Sequence, residues 1–168
     1  SSEHYYGFAD IESKRLVDEN SEFSFASLSK PITATAVLIA VKKELISLDS
    51  NINDYIPLKF NNPWFPDTVI TFRQLLNHTS SLAMPPDILL GDIGFPSMPT
   101  QSGESAVSLE EFLSNLNQRS EDFKKQYLFR ERPPGSRMEY CNLGYALAAF
   151  GIEKVSKLTF EQYCQKHL

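Results

Sequence analysis

The stretch from Ile32 to Val41 constrains this chain most. Only Thr33 and Thr35 interrupt its apolar character. A segment of that length, apolar all round, reads as a helix running through a core. The helix is expected over about Ser27 to Leu45, with Lys42-Lys43-Glu44 marking its return to water. Pro31 falls in the first turn, where early N–H groups lack intrahelical partners and proline is tolerated. The sequence just ahead, Phe25-Ala26-Ser27-Leu28-Ser29-Lys30-Pro31, places a serine and a lysine three residues apart at the tip of this element.

Residues three or four apart share a helix face, so Ser27 and Lys30 can touch. A hydroxyl needs a nearby base to act as a nucleophile. A lysine amine can be that base where its surroundings disfavour the charge, and the positive end of a helix dipole does so. The same turn offers unpaired N–H groups that can hold a developing oxyanion. Taken alone, the four residues are more simply an N-cap serine and a solvated lysine. A tip supported by a buried helix favours the chemical reading, because a rigid element holds a reacting group well.

Other classes are less compatible. The 168 residues carry a net charge of −5 and no long Lys/Arg run, which argues against a general nucleic-acid binder. The longest apolar run is far shorter than the ~20 residues a membrane span needs. No signal peptide is visible; a targeting segment would lie upstream of Ser1, and the compartment stays open. Cys141 and Cys164 lie in no ligand spacing and read as free thiols, with one disulfide possible. His4, His78 and His167 are scattered, so no metal is expected.

Along the chain, His4 to Ile11 reads as a strand, with Gly7 marking a bulge or close approach. Glu12 to Lys14 reads as a turn. Thr71/Gln74, Ser108/Glu111 and Thr159/Gln162 are capping boxes that open helices. Residues 83 to 107 form a long loop with several prolines and glycines, the kind of segment that is functional or disordered. A further short helix fits Glu121 to Leu128. Pro134-Gly135 then delivers Tyr140-Cys141-Asn142 to a last pair of helices, with Asn142 as the N-cap of the first. Tyr140 can carry a proton if a lysine lowers its pKa. Asn142 can bind an amide or hold the lysine. Alone, the pair also reads as a core tyrosine and a cap.

Together these pieces resemble the serine β-lactamase and penicillin-binding-protein family, in particular its class C-like branch, which includes D-Ala-D-Ala carboxypeptidases and esterases. Ser27-Leu28-Ser29-Lys30 matches its S-x-x-K box and Tyr140-Cys141-Asn142 its Y-x-N box. Tyr6-Gly7-Phe8-Ala9-Asp10, Leu75 to Leu82, and Pro134-Gly135 followed by Asn142-Leu143-Gly144-Tyr145 match its flanking stretches, in the expected order.

The resemblance implies an α+β, β-lactamase/transpeptidase-like fold, here mainly the helical lobe plus an N-terminal strand segment of the antiparallel sheet. It implies that Ser27 is acylated, that Lys30 helps deprotonate it, and that Tyr140 is general base and then acid. Asn142 would contact the acyl-side amide of the substrate and Lys30, and the Ser27 N–H would contribute to the oxyanion hole. No cofactor is implied. The partner would be a β-lactam, a D-Ala-D-Ala peptide or a small ester or amide, with residues 83 to 107 and Trp64 as specificity contacts. Oligomeric state is not implied.

The family's third box, K-T-G or H-x-G, has no match. Lys154-Val155-Ser156 and Lys157-Leu158-Thr159 lack the glycine. The expectation is a partial domain over 1–168, truncated at both ends and with little activity by itself. The competing expectation is a catalytically inactive or slowly acylating binding or sensor protein of the same fold. A helical interaction domain would explain the buried helix but not the ordered boxes.

Overall fold

A computed structural model describes residues 3–23, 25–85 and 107–168. The N-terminal hairpin is short. Strand β1, Phe8–Asp10, pairs antiparallel with β2, Arg15–Leu16, in a register that slips between Phe8 and Asp10. The turn is fastened by Asp10, whose Oδ1 accepts from the N–H groups of Glu12 (2.9 Å) and Ser13 (3.2 Å). Gly7 is left-handed (φ 83°) and has open space around it. It turns the chain into β1, while the irregularity itself sits at Ala9. The strand is therefore shorter than the His4 to Ile11 expected.

Helix α1 spans Ser29–Lys42 and is preceded by a 3-10 turn, Ala26–Leu28. Its burial is one-sided. Thr33, Ala36, Val37 and Ala40 are buried, but Ile32 is 50% and Leu38 52% exposed. This corrects the expectation of a helix buried on every face. Small residues on the inner face, Ala36 and Ala40, let α1 lie close to the helix Asn142–Ser156, while Ile32 and Leu38 point away. Thr35 satisfies its hydroxyl on the Pro31 carbonyl at 2.8 Å, so its polarity costs the helix little.

Helix α2, Phe72–Leu76, opens with the expected capping box: the Gln74 N–H donates to Thr71 Oγ1 and the Thr71 N–H to Gln74 Oε1. Helix α3, Leu109–Asn117, is capped by Ser108 and buries Phe112, Leu113 and Leu116. Helix α4, Glu121–Phe123, is capped by Ser120 and continues as a π turn, Lys124–Leu128.

The all-round burial belongs to α5, Asn142–Ser156. Leu143, Gly144 and every residue from Ala146 to Ile152 are buried. It touches α1, α2, α3 and the final helix α6, Phe160–His167. Its small residues permit this. A Cβ on Gly151 would lie 2.7 Å from the Phe72 ring, and one on Gly144 3.2 Å from the Leu75 carbonyl. Asn142 is the first residue of α5 rather than its cap; Cys141 holds the cap position, without a side-chain bond. Both cysteines are free thiols.

A second framework joins residues 78–83 to 128–139. Ala83 N–H bonds to Leu128 O, Arg130 N–H to Ser81 O, Gly135 N–H to Thr79 O and Glu139 N–H to His78 O, at 2.7–2.9 Å. Asn62, fully buried, braces it from a third segment. Its Nδ2 reaches Ser81 Oγ, Arg130 O and Arg132 O, and its Oδ1 accepts from Trp64 N–H. Among the described residues, no helix is long and apolar enough to cross a membrane.

Candidate active site

Ser27 lies in the 3-10 turn at the entrance to α1. The residue before it, Ala26, is held at φ 45°, a left-handed conformation costly for a residue with a Cβ. The turn is tied by Leu28 N–H to Phe25 O (3.0 Å) and by Ser29 Oγ to Ala26 O (2.8 Å). One turn on, Lys30 Nζ donates to Ser27 Oγ at 3.2 Å. The expected same-face pairing is therefore present.

Tyr140 arrives from the other framework. Its Oη lies 2.6 Å from Ser27 Oγ, within strong hydrogen-bond range. Lys30 Nζ stands 4.7 Å from the Tyr140 ring centre and 5.5 Å from that of Tyr145, so the ammonium is cradled by two aromatic faces. Contact with Lys30, and then with Ser27, lowers the Tyr140 phenol from its ordinary value. Tyr145 moves the other way. Burial, and then the charge of Tyr140, raise its phenol, and its hydroxyl donates to Leu76 O at 2.9 Å. Two neighbouring phenols pushed apart have different tasks: Tyr140 is suited to exchange a proton and Tyr145 to hold structure.

The segment carrying Tyr140 is anchored on two sides. Arg130 Nε donates to Glu139 Oε1 (2.7 Å) and Arg132 Nη2 to Glu139 Oε2 (2.5 Å). Burial opposes ionisation of Glu139, but the two guanidinium groups outweigh it and hold the carboxyl below its usual range. On the other side, His78 Nδ1 accepts from the Cys141 N–H at 3.1 Å, and its ring packs against Tyr140 and Tyr145 at 4.5 and 5.2 Å. Sequence reasoning gave these residues no role. The available signal was the position of His78 directly after α2, in a stretch already singled out for its resemblance.

Asn142 follows Tyr140 by two residues, at the start of α5. Its Oδ1 is buried and has no hydrogen-bond partner among the described residues. Asn142 and Lys30 form no hydrogen bond with each other; Lys30 instead serves Ser27 and the two rings. A buried amide oxygen without a donor costs about 1–3 kcal/mol and is suited to receive an N–H from a ligand. Of the expected specificity contacts, Trp64 faces Lys125, whose Nζ is 5.0 Å from its ring, and residues 86–106 lie outside the described residues. No group of three or more His, Cys, Asp or Glu among the described residues is placed to hold a metal ion.

Comparison with known proteins points in one direction. The family model described as Beta-lactamase matches residues 2–168. The chain is 29% identical over 160 residues to Penicillin-binding protein 4* of Bacillus subtilis (strain 168), covering 95% of this chain and 31% of that protein. It is 26% identical over 164 residues to Protein flp of Staphylococcus aureus (strain MW2), covering 96% and 29%. The chain thus spans about three-tenths of the length of these curated relatives. Among solved structures, the penicillin binding protein from Bacillus halodurans superposes with a TM-score of 0.69 at 26% identity, over 95% of this chain and 42% of that one. EstCE1, a hydrolase with promiscuous acyltransferase activity, does so at 0.68 and 25%, over 95% and 40%.

Proposed function

The chain belongs to the Beta-lactamase family, with the β-lactamase/transpeptidase-like α+β fold represented by its helical lobe and a short N-terminal hairpin, and from that premise we propose that it carries the nucleophile and base of a serine hydrolase. One observation carries the reading: Ser27 Oγ is 2.6 Å from the Tyr140 phenol and 3.2 Å from the Lys30 ammonium.

In this reading the phenolate of Tyr140, favoured by contact with Lys30, accepts the Ser27 proton as Oγ attacks a carbonyl carbon. The tetrahedral oxyanion is met by backbone N–H groups, that of Ser27 among them. Its collapse breaks the bond to the leaving group, which takes the proton from Tyr140. Water then attacks the acyl-serine ester and gives a proton to the Tyr140 phenolate; the C–Oγ bond breaks, Tyr140 returns that proton to Ser27 Oγ, and the acid product leaves. The free Asn142 oxygen binds an N–H on the acyl side. The substrate class is a β-lactam, a D-Ala-D-Ala peptide or a small ester or amide. Residues 1–168 form part of a larger domain of this type, a reading supported by the longer relatives and by the exposed apolar face of α1.

The test is covalent labelling of the full-length protein by a fluorescent penicillin and by a fluorophosphonate. Labelling by either probe that vanishes in Ser27→Ala supports the nucleophile. A second reading is a slowly acylating or catalytically inactive binding or sensor protein of the same fold. It predicts a labelled serine without turnover, or no labelling at all.

A further inference from the structure

We infer that His78 is a positioning residue: its neutral imidazole holds the Tyr140–Cys141 segment in the reactive register, and protonation of the ring releases it. The inference rests on the proposed role of Tyr140. Three contacts converge on His78. Its Nδ1 accepts from the Cys141 N–H (3.1 Å), its own carbonyl accepts from the Glu139 N–H (2.7 Å), and its ring lies against Tyr140 (4.5 Å). The residues before and after Tyr140 are thus both bonded to one residue, and Tyr140 itself packs on that residue's ring. The chain bends to make this possible. His78 is left-handed, at φ 58°, which brings its carbonyl and its ring to the same segment.

An imidazole accepting at Nδ1 carries its proton on Nε2. A second proton would occupy Nδ1 and turn the acceptor into a donor facing the Cys141 N–H. That bond cannot survive protonation. The titratable groups around the ring are Tyr140 and Cys141 from the 129–141 segment and Tyr145 from α5, with the Lys30 charge acting on it from α1. The nearby Glu139 carboxylate is engaged by Arg130 and Arg132. Partial burial, and then the Lys30 charge, hold His78 below its ordinary value, so the ring is neutral near pH 7. The site should disengage at a pH below the ordinary histidine midpoint.

Two substitutions separate the acceptor from the ring. Asn tolerates a left-handed backbone and offers an uncharged acceptor in His78→Asn. His78→Phe keeps an aromatic ring and removes the acceptor. The experiment combines two readouts on the full-length protein. One is the amide shift of Cys141 under selective 15N-cysteine labelling, assigned with Cys141→Ser and followed against pH. The other is the rate of fluorophosphonate labelling against pH. The Cys141 amide should move with a midpoint below the usual histidine value, and the transition should vanish in His78→Asn. Labelling should fall about tenfold to a hundredfold in His78→Phe and recover in His78→Asn, whose rate should lack the wild-type acid limb. A Cys141 amide that ignores the His78 titration, or a His78→Phe variant that labels at the wild-type rate, overturns the inference. If Ser27→Ala labels like wild type, the proposed reaction fails instead, and the Cys141 titration alone decides the role of His78.

Discussion

The Ser27 hydroxyl and the Tyr140 phenol, 113 residues apart in sequence, meet at 2.6 Å. The contact joins the tip of α1 to the loop that enters α5. Tyr140 is half exposed, so its hydroxyl contributes little to stability. Tyr140→Phe keeps the ring against His78 and Lys30 and removes only the hydroxyl proposed to carry the proton. The acylation rate should fall about 10²–10⁴-fold while the unfolding midpoint stays near wild type. Stopped-time probe labelling beside thermal unfolding checks both.

Lys30 acts on Tyr140 first through contact with its phenol and only then through charge, and both fix the sign of a pH experiment. A general base works deprotonated, so the rate should rise with pH as the phenol ionises. The Lys30 ammonium lowers that phenol's pKa. Lys30→Met removes the charge and should move the rising limb to higher pH, with loss at neutral pH partly regained in alkali. A limb that stays in place would show that Lys30 does not tune Tyr140.

Glu139 couples the site to acid stability. Its carboxyl is held below the ordinary range by Arg130 and Arg132, against the opposing effect of burial. The native state therefore binds this proton less readily than the unfolded chain. The stabilisation is complete above the unfolded carboxyl pKa and is lost as pH falls through the lower native one. Glu139→Gln should cost about 1–2 kcal/mol at neutral pH, discounted because the clamp is partly exposed. It should also flatten stability against pH in the acid range, as measured by urea unfolding.

Gly151 touches the centre of the helix packing. Alanine there would favour the helix by about 1 kcal/mol, but its Cβ would come within 2.7 Å of the fully buried Phe72 ring. Overpacking of this kind costs about 1–3 kcal/mol, so Gly151→Ala should destabilise. Phe72→Leu in the same chain should recover part of the loss, which a double-mutant cycle in denaturant measures.

The end of α5 offers a change of opposite sign. Lys157 terminates the helix at φ 62°, a place where glycine is the common residue. Lys157→Gly should stabilise by about 0.5–1 kcal/mol, read as a higher urea midpoint with unchanged m-value.

Much of this architecture was legible in the residues. The Ser27/Lys30 spacing, the Thr71 and Thr159 capping boxes and the Tyr140-x-Asn142 turn are local patterns, and local patterns survive without a fold. The difference between α1 and α5 was not legible. Both are apolar nearly all round; what separates them is how many neighbours each finds, a property of the whole chain. His78 and the Arg130–Glu139–Arg132 clamp escaped notice for the same reason. Each is polar and unremarkable in sequence, and each gains its role from a partner brought close by the backbone frame. Asn142 shows the opposite case: the motif singled out the residue, but the expected Lys30 hydrogen bond depends on a geometry that the motif does not encode.

Asn62 braces both segments of that frame, and its neighbour in sequence bears on how long the brace lasts. Asparagine side chains age mainly when the following backbone nitrogen attacks the amide carbon and closes a cyclic imide. Here the following residue is Pro63, whose nitrogen carries no hydrogen. That route is closed, and full burial of Asn62 keeps water from the slower one. The amide that ties Ser81, Arg130 and Arg132 together is thus protected from loss through an imide with the residue that follows it.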